Sequence, residues 1–350
     1  MDSHWLCAAL TPPHAFGAPL ARATLRAHPE DFIVEEDLGF SASGAGQHVL
    51  LKVRKRNANT QWVARELAKL CGCHPRDVGY AGLKDRRAVA VQWLTVPKTK
   101  MPLEAWPEVR HPEFDVLEAH AHSRKLPRGA LAGNRFTIRI RDITLTDEVL
   151  SARVADITRH GVPNYFGPQR FGHNGANLAR ITDGLQSLRA PERGFVLSAA
   201  RSVVFNAVLA ERVRDGSWNR LEVGDIANLD GRGSIFAVAG AIDPTLTERA
   251  AQLDLHPTGP LWGRGAPATE LRIAALESRV AAEFQPACDL TAAAGMDQER
   301  RALRLAVRDF TWHREPNSRV LSFRLTRGSF ATTVLRQLID SEGADEGEND

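Results

Sequence analysis

The sequence has few cysteines and no uninterrupted apolar run. Four cysteines in 350 residues provide no disulfide framework. The first thirty residues lack the charged start and apolar core of a signal peptide, which predicts a cytoplasmic protein. Residues 195–213 form the most apolar helix-like stretch, but Arg201, Asn206 and Glu211 interrupt it. This stretch therefore predicts a buried helix and not a membrane span.

Common catalytic and ligand-binding motifs are also absent. The sequence contains no GxxxxGK[ST] phosphate loop, and the glycines from Gly39 to Gly46 do not join a strand to a helix as a dinucleotide fingerprint does. The absence of a GxSxG elbow argues against a serine hydrolase. Cys71, Cys73 and His74 lack the second ligand pair of a structural zinc site, so no metal is predicted. The usual nucleotide-driven and NAD-dependent chemistries are thereby excluded.

The composition is that of a packed globular protein with a basic body. The chain is 43% hydrophobic and 25% charged, and 350 residues are enough for two domains. Residues 342–350 contain five acids and no Lys or Arg, so the formal net charge of +3 leaves +8 for residues 1–341. A basic body favours an anionic partner, and the acidic terminus is predicted to be solvated and disordered.

The stretch from Gly79 to Ala88, GYAGLKDRRA, is the most informative segment. It places Asp85 between Lys84 and two arginines, Arg86 and Arg87, on a glycine-rich turn ahead of an apolar strand. Neighbouring cations keep an aspartate ionised at neutral pH, and the same cations attract a polyanion such as RNA. The segment favours a charged nucleophile beside a phosphate-binding surface. A basic hairpin with a solvated aspartate in its turn is the alternative.

The hydrophobic spacing changes twice along the chain. Up to about residue 145 it predicts mainly strands, including 47–54 and 134–141, with one helix that starts at Asn59 or Thr60, buries Val63, Leu67 and Leu70, and stops at Gly72. Helices are then predicted at 147–160, 177–188, 198–214, 247–253 and 268–284, with short strands near 221–229 and 234–239. Strands return at 303–312 and 319–325, before a helix at 329–339.

This order of elements predicts one β-rich domain interrupted by a more helical one. The predicted catalytic domain is discontinuous and comprises residues 1–159 and 306–341. The predicted insertion comprises residues 160–305, a length at which a separate core is expected. Residues 342–350 form the acidic tail.

Aromatic and amide side chains near charged residues indicate a wall for a nucleic-acid base. Phe32, Phe136 and Phe330 each lie near glycine, asparagine or charge. Such rings stack on an extruded base, although a core position is the alternative for each. Asn134 adds an amide that is able to read a base edge.

Another segment, PNYFGPQRFG from Pro163 to Gly172, opens the predicted insertion and carries Arg170. Glycines let a backbone approach a ligand closely, so the segment predicts a hinge or a cleft-facing loop. Lys125 and Arg128 make a neighbouring region basic, as a phosphate track requires. A solvated charged face is the alternative reading of these cations.

Several segments together resemble one protein family. They are PEDFIVEE (29–36), AGLKDRRAV (81–89) with Gln92 and Trp93, GNRF (133–136), NYFGPQRFG (164–172), LSAARS (197–202) and GSFAT (328–332). In this order they resemble the TruD family of tRNA pseudouridine synthases, from about residue 26 to residue 339. The resemblance implies an α+β protein with a pseudouridine synthase fold, built on a mixed, mainly antiparallel sheet, and an inserted α/β domain peculiar to this family.

The resemblance also implies roles for individual residues. Asp85 corresponds to the family's catalytic aspartate, and Arg26 to its basic partner, which is lysine in other members. Phe32, Asn134, Phe136, Phe330 and Lys84 correspond to substrate-binding positions. The cations predicted to contact the RNA backbone are Arg86, Arg87, Lys125, Arg128 and Arg170.

The implied activity is isomerisation of uridine to pseudouridine in tRNA, at uridine 13 of the D arm. The bond from ribose C1′ to uracil N1 breaks, the base rotates, and C5 bonds to C1′, so no cofactor is needed. Asp85 either attacks the sugar or abstracts the C2′ proton in a glycal route, and the resemblance leaves both open. It further implies a monomer that binds tRNA, with no membrane and no obligatory protein partner.

Two other classes of protein stay open on the sequence. A catalytically inactive RNA-binding protein would use the same basic surface without Asp85. A glycoside hydrolase would pair Asp85 with a second positioned acid, for which Glu30, Asp31, Glu35 and Glu36 are candidates.

Overall fold

The protein was analysed as a computed structural model that describes residues 3–185 and 188–342, the side chains of residues 341 and 342 excepted. Packing divides the chain into two compact units. We call the described parts of residues 1–20, 145–307 and 329–339 the helical unit, and those of residues 21–144, 308–328 and 340–350 the sheet unit. These bounds differ from those of the predicted domains, which stay a prediction. Apart from residue 342, the predicted acidic tail lies outside the described residues.

Strands predominate up to residue 141, and most of the helices lie between residues 147 and 293. The helices are α1 (Ser3–Leu10), α2 (Thr60–Cys71), α3 (Asp147–His160), α4 (Ala176–Ala179), α5 (Ala190–Arg214), α6 (Pro244–Ala251), α7 (Leu271–Glu283), α8 (Gln285–Ala293) and α9 (Ala331–Leu335). The strands are β1 (Ala21–Thr24), β2 (Phe32–Asp37), β3 (His48–Arg56), β4 (Gly79–Tyr80), β5 (Val89–Pro97), β6 (Arg110–His111), β7 (Phe114–His122), β8 (Gly133–Arg141), β9 (Val162–Pro163), β10 (Ile226–Leu229), β11 (Ile235–Ala237), β12 (Leu255–Leu261), β13 (Glu299–Ala302), β14 (Arg304–Leu305), β15 (Arg308–Glu315), β16 (Ser318–Thr326) and β17 (Ile339–Glu342).

The sheet unit is built on one mixed sheet. Its strands follow the order β15-β16-β8-β2-β5-β3-β7-β6, and β4 pairs with β5. Strands β2 and β5 run parallel, whereas the other neighbours in this order run antiparallel. The predicted α+β class with a mixed, mainly antiparallel sheet is confirmed.

Helix α2 covers part of this sheet because both elements are amphipathic. Val49, Leu51 and Val53 alternate along β3 and are buried, and α2 packs Val63 and Leu67 into the same core. The helix ends at Gly72, which adopts the left-handed conformation at φ 63°, as the sequence predicted.

Two helix predictions are wrong in part. Leu70 is 47% exposed and does not point inward, because the buried face of α2 passes through Ala64 and Ala68 instead. The helix predicted at 177–188 is reduced to α4 and the turns that follow it, and residues 186 and 187 lie outside the described part of the chain.

The helix predicted at 329–339 is also too long. Helix α9 covers only Ala331–Leu335, and β17 begins at Ile339. The helix stops after Leu335 because residues 336–338 form turns that lead into β17, which pairs with β1.

Helix α5 is the core helix of the helical unit. Its buried residues, among them Val196, Val203 and Phe205, lie in the hydrophobic clusters of this unit. Within the described residues it is the one helix with the length and mean hydropathy of a membrane span, and 72% of its most apolar window is buried inside the protein. A four-stranded sheet in the order β11-β10-β12-β13 and the pair β9-β14 belong to the same unit.

Candidate active site

Asp85 lies on the loop between β4 and β5, at one end of the sheet. Parallel pairing places Ile33 of β2 beside Val89, the first residue of β5. Antiparallel pairing places Arg56, the last residue of β3, beside the same Val89. The loop is therefore surrounded by the start of β2 and the end of β3, so side chains from both strands are close to it.

The carboxylate of Asp85 forms an ion pair with Arg26. Arg26 Nη2 donates to Asp85 Oδ2 at 2.7 Å, and the two side chains are 14% and 39% exposed. The guanidinium also lies over the ring of Phe32, with Cζ 4.3 Å from the ring centre. Arg26 adopts a left-handed backbone with φ 55°, which is uncommon for a residue with a long side chain. The structure thus brings together three of the predicted site residues.

Phe136 and Asn134 lie on the neighbouring strand β8. The rings of Phe32 and Phe136 meet edge to face, with centres 6.0 Å apart. Asn134 stands directly opposite Glu36 of β2, so its side chain shares a sheet face with that glutamate. The amide oxygen of Asn134 is buried and has no hydrogen-bond partner among the described residues. A buried acceptor without a donor is costly, and a ligand N–H would satisfy it.

Lys84 points away from solvent, beneath the loop. Its ammonium lies 2.6 Å from Oε1 of Glu36, and both side chains are almost fully buried. Glu36 Oε2 also accepts a hydrogen bond from the backbone N–H of Trp93 at 2.9 Å. Lys84 is therefore neutralised by Glu36, and it anchors the loop to β2 and β5.

Lys55 is a residue of this site that the sequence analysis missed. Its ammonium is fully buried and donates to three carbonyl oxygens: those of Ala58 at 2.6 Å, Asp85 at 2.7 Å and Lys84 at 3.3 Å. Burial lowers the pKa of Lys55 to about 8, in opposition to the nearby charge of Asp85. The alternation along β3 contained the signal, since residue 55 follows Val53 on the inward face, where a lysine is unexpected.

Thr60 holds the same loop from the first residue of α2. Its hydroxyl accepts a hydrogen bond from the backbone N–H of Lys84 at 3.0 Å and donates to Oε1 of Gln92 at 2.9 Å. Thr60 and Gln92 are both buried. Together with Lys55, these contacts fix the backbone on either side of the carboxylate, so the loop is preorganised.

The other predicted cations of the sheet unit differ in their surroundings. Arg86 and Arg87 are exposed beside the carboxylate. The guanidinium of Arg128 stacks over Tyr80, with Cζ 3.7 Å from the ring centre. Lys125 is exposed and donates to a backbone carbonyl. These four residues leave cationic surface open to solvent.

Two predicted residues, Phe330 and Arg170, belong to the helical unit. Phe330 immediately precedes α9 and is 42% exposed. Arg170 is partly buried, and its Nη1 donates to the hydroxyl of Ser198 at 2.9 Å.

A polar cleft and the cysteines of the described residues include none of the predicted site residues. The cleft has a volume of about 330 Å³ and is lined by Glu35, Glu36 and Asp37 of β2, and no residue predicted to be catalytic or to bind substrate lines it. In the described part of the chain, no group of three or more His, Cys, Asp or Glu side chains is arranged to hold a metal ion. Burial raises the pKa of the Cys71 thiol to about 12, so this thiol is protonated at neutral pH.

Comparisons with known proteins agree over nearly the whole chain. A solved structure from Methanosarcina mazei, described as a putative tRNA pseudouridine synthase D, shares the fold at a TM-score of 0.76 and 19% identity, over 97% of this chain and 98% of that one. The family model described as tRNA pseudouridine synthase D (TruD) matches residues 14–185 and 176–338. The relatives from Nitrosococcus oceani and Methylococcus capsulatus, both named tRNA pseudouridine synthase D, are each 44% identical, over 93% and 94% of this chain and of their own lengths. The chain belongs to the tRNA pseudouridine synthase D family.

Proposed function

We propose that this protein isomerises uridine to pseudouridine in tRNA, at uridine 13 of the D arm, with Asp85 as the catalytic carboxylate. The observation that carries the proposal is the Arg26–Asp85 ion pair at 2.7 Å, on a loop whose backbone is anchored by buried side chains. Membership of the family supports the same reaction. A cytoplasmic monomer that acts without a protein partner is part of this proposal.

The reaction assigns a task to each side chain. The target nucleotide leaves the RNA stack, and its uracil ring lies near the edges of Phe32 and Phe136. The unpartnered amide oxygen of Asn134 accepts a hydrogen bond from uracil N3–H, which removes the cost of its burial. Arg26 orients the carboxylate of Asp85 and keeps it anionic.

The carboxylate then acts on the ribose. Either Asp85 bonds to C1′ as the bond from C1′ to N1 breaks, or it removes the C2′ proton to form a glycal. In both routes the freed uracil rotates, C5 bonds to C1′ and loses its proton, and N1 gains one. As C5 bonds to C1′, the bond from Asp85 to C1′ breaks in the first route, and Asp85 returns its proton to C2′ in the second. Atoms and electrons balance without a cofactor or an outside energy source.

Glycoside hydrolysis is less well supported, since the other acids near Asp85 are already engaged. Glu30 is paired with Arg56, Asp31 with Arg141, and Glu36 with Lys84. Glu35 alternates with Glu36 along β2 and therefore lies on the opposite face of the sheet. None of these four carboxylates is free to act with Asp85 as the second acid.

Asp85→Asn tests the proposal because it removes the charge with little change of shape. We expect pseudouridine formation to fall on the order of 10⁴-fold or more, while the affinity for tRNA stays nearly unchanged. Asp115→Asn is the matched control, since Asp115 is an exposed carboxylate of the same unit, paired with Arg54. Chemical mapping of tRNA from cells lacking the gene and complemented with each variant provides the readout.

Normal modification by the Asp85→Asn variant would refute the catalytic role. Pseudouridine at another position of the tRNA, with uridine 13 unmodified, would refute the assigned target. A tRNA with another base at position 13 is expected to be inert.

A further inference from the structure

The segment from Pro163 to Gly172 takes no part in the Asp85 site described above. It starts at the end of β9 and continues into a short 3-10 turn, Pro168–Phe171, in the helical unit. Its Phe166 has two guanidiniums beside its ring: Cζ of Arg301 is 4.3 Å from the ring centre and Cζ of Arg170 is 5.4 Å from it. One aromatic ring thus brings together cations from β13 and from the turn.

Neither guanidinium is balanced by an acid. Arg301 Nη2 donates to the amide oxygen of Asn164 at 2.8 Å, and Arg170 Nη1 donates to the hydroxyl of Ser198 at 2.9 Å. Over residues 3–185 and 188–340, whose side chains are described, no carboxylate forms an ion pair with either arginine. By contrast, the guanidinium of Arg300, the preceding residue of β13, is balanced by Glu277 at 2.7 Å.

The placement of these two guanidiniums beside each other is energetically unfavourable. Burial and, to a smaller extent, repulsion from Arg170 lower the pKa of Arg301 to about 10. The Nε atom of Arg301 is buried without a hydrogen-bond partner. Two partly desolvated cations without a counterion are costly unless an anion from outside neutralises them. Guanidiniums present forked donors that match the oxygens of a phosphate group.

We propose that Arg170 and Arg301 together bind a backbone phosphate of tRNA, at an anchoring point that the Asp85 site does not include. The identity of the anion rests on the proposed function, because tRNA is the polyanion that the protein would then encounter as substrate. The competing explanation is that Arg301 is an internal clip that holds β13 against Phe166 and Asn164. The two explanations predict different results, because only a phosphate site makes the affinity for tRNA and its dependence on salt sensitive to these two arginines.

Arg170→Gln and Arg301→Gln test the proposal in the full-length protein. We expect each substitution to weaken tRNA binding about tenfold at roughly 0.1 M salt, and to reduce the slope of log K against log salt by about 0.9. Arg264→Gln is the matched control, because Arg264 is an exposed arginine of the same unit, paired with Asp297 at 2.8 Å.

Unchanged affinity and salt slope in the Arg170→Gln variant would overturn the proposal. This variant keeps the test decisive even if Arg301→Gln fails to fold, because its side chain is the less buried of the two. Thermal stabilisation of the wild type by inorganic phosphate, lost in Arg170→Gln while tRNA binding is unaffected, would also overturn it in favour of a free anion. If the wild type forms no pseudouridine yet both variants lose salt-dependent tRNA binding, the proposed function fails and this inference stands.

Discussion

Replacing Lys55 with methionine is expected to remove a pH dependence of stability that this single buried ammonium creates. Methionine keeps the length and the apolar stem of lysine but carries no charge. Burial lowers the pKa of Lys55 from its ordinary 10.5 to about 8 in the folded protein, with Asp85 opposing the shift and Lys84 adding to it. The folded protein therefore releases this proton near pH 8, whereas the unfolded chain retains it up to about pH 10.5.

The sign and the size of the effect follow from proton linkage. Below pH 8 both states carry the proton, so Lys55 adds no slope to the free energy of unfolding. Between pH 8 and pH 10.5 the unfolded chain binds more protons than the folded protein, so stability rises with pH. A displacement of this pKa by about 2.5 corresponds to about 3 kcal/mol at 1.36 kcal/mol for each pKa unit. Between pH 8 and pH 10.5 the free energy of unfolding of the wild type should therefore rise by this amount relative to that of the Lys55→Met variant.

Urea unfolding of both proteins at several pH values between about 7 and about 10.5 measures the difference. Other groups that titrate in this range, such as the buried thiols, contribute equally to both proteins and cancel. If the difference in the free energy of unfolding between the two proteins does not change with pH, the assignment of a buried, charged Lys55 is refuted. A difference that falls with pH would mean that the pKa of this lysine is raised by folding.

Two further predictions concern the site and its support. Arg26→Gln removes the guanidinium that contacts the carboxylate of Asp85 and lies over Phe32. If Asp85 is catalytic as proposed, the substitution is expected to lower kcat about 10- to 100-fold with little change in KM, as steady-state kinetics on tRNA would show. Restored kcat in Arg26→Lys, and not in Arg26→Gln, would assign the loss to charge. Gly133→Ala places a methyl group 2.3 Å from the carbonyl oxygen of Leu325 on the paired strand and should cost about 1–3 kcal/mol in urea unfolding, against no loss for Gly233→Ala, whose surroundings are open. Equal stability of these two alanine variants would contradict the close packing of β8 on β16.

The candidate centre was visible in the sequence, whereas most of its supports were not. Asp85 and its flanking cations stand together in ten residues, so the local charge pattern singled out this loop as a candidate. Arg26 came from the family resemblance, whereas Phe32 was also a candidate from its charged surroundings, and the structure places the two in contact with each other. Thr60 escaped notice because its partner in the loop is the backbone N–H of Lys84, and such a contact leaves no pattern in side-chain chemistry. For Lys55 the signal was its inward position on β3, which was not used.

The sequence predicted the elements that have clear hydrophobic periodicity or capping residues. It did not predict the elements whose conformation depends on tertiary packing or strand pairing. Helix α3 begins and ends as the sequence predicted, since the hydroxyl of Thr146 caps it and Gly161 stops it. Strand β12 gave no such signal, because Pro257 and Pro260 interrupt a segment that nevertheless pairs on both sides. Helix α1 was not predicted, because its eight residues have only a weak hydrophobic periodicity and the helix is stabilised by packing on α5.

The supports of the loop explain how the proposed catalytic carboxylate holds its position on irregular backbone. A loop that carried Asp85 alone would exchange among conformations, and a displacement of about 1 Å at the reacting atom is enough to slow a reaction about 100-fold. Here the ammonium of Lys55 donates to the carbonyl oxygens of Lys84 and Asp85, and the hydroxyl of Thr60 accepts from the backbone N–H of Lys84, which precedes both carbonyls. The buried ammonium is unfavourable for folding, as its lowered pKa records, yet it fixes the atoms from which the carboxylate projects. The buried ammonium thus lowers the stability of the fold but fixes the position of the carboxylate that we propose to act on the ribose.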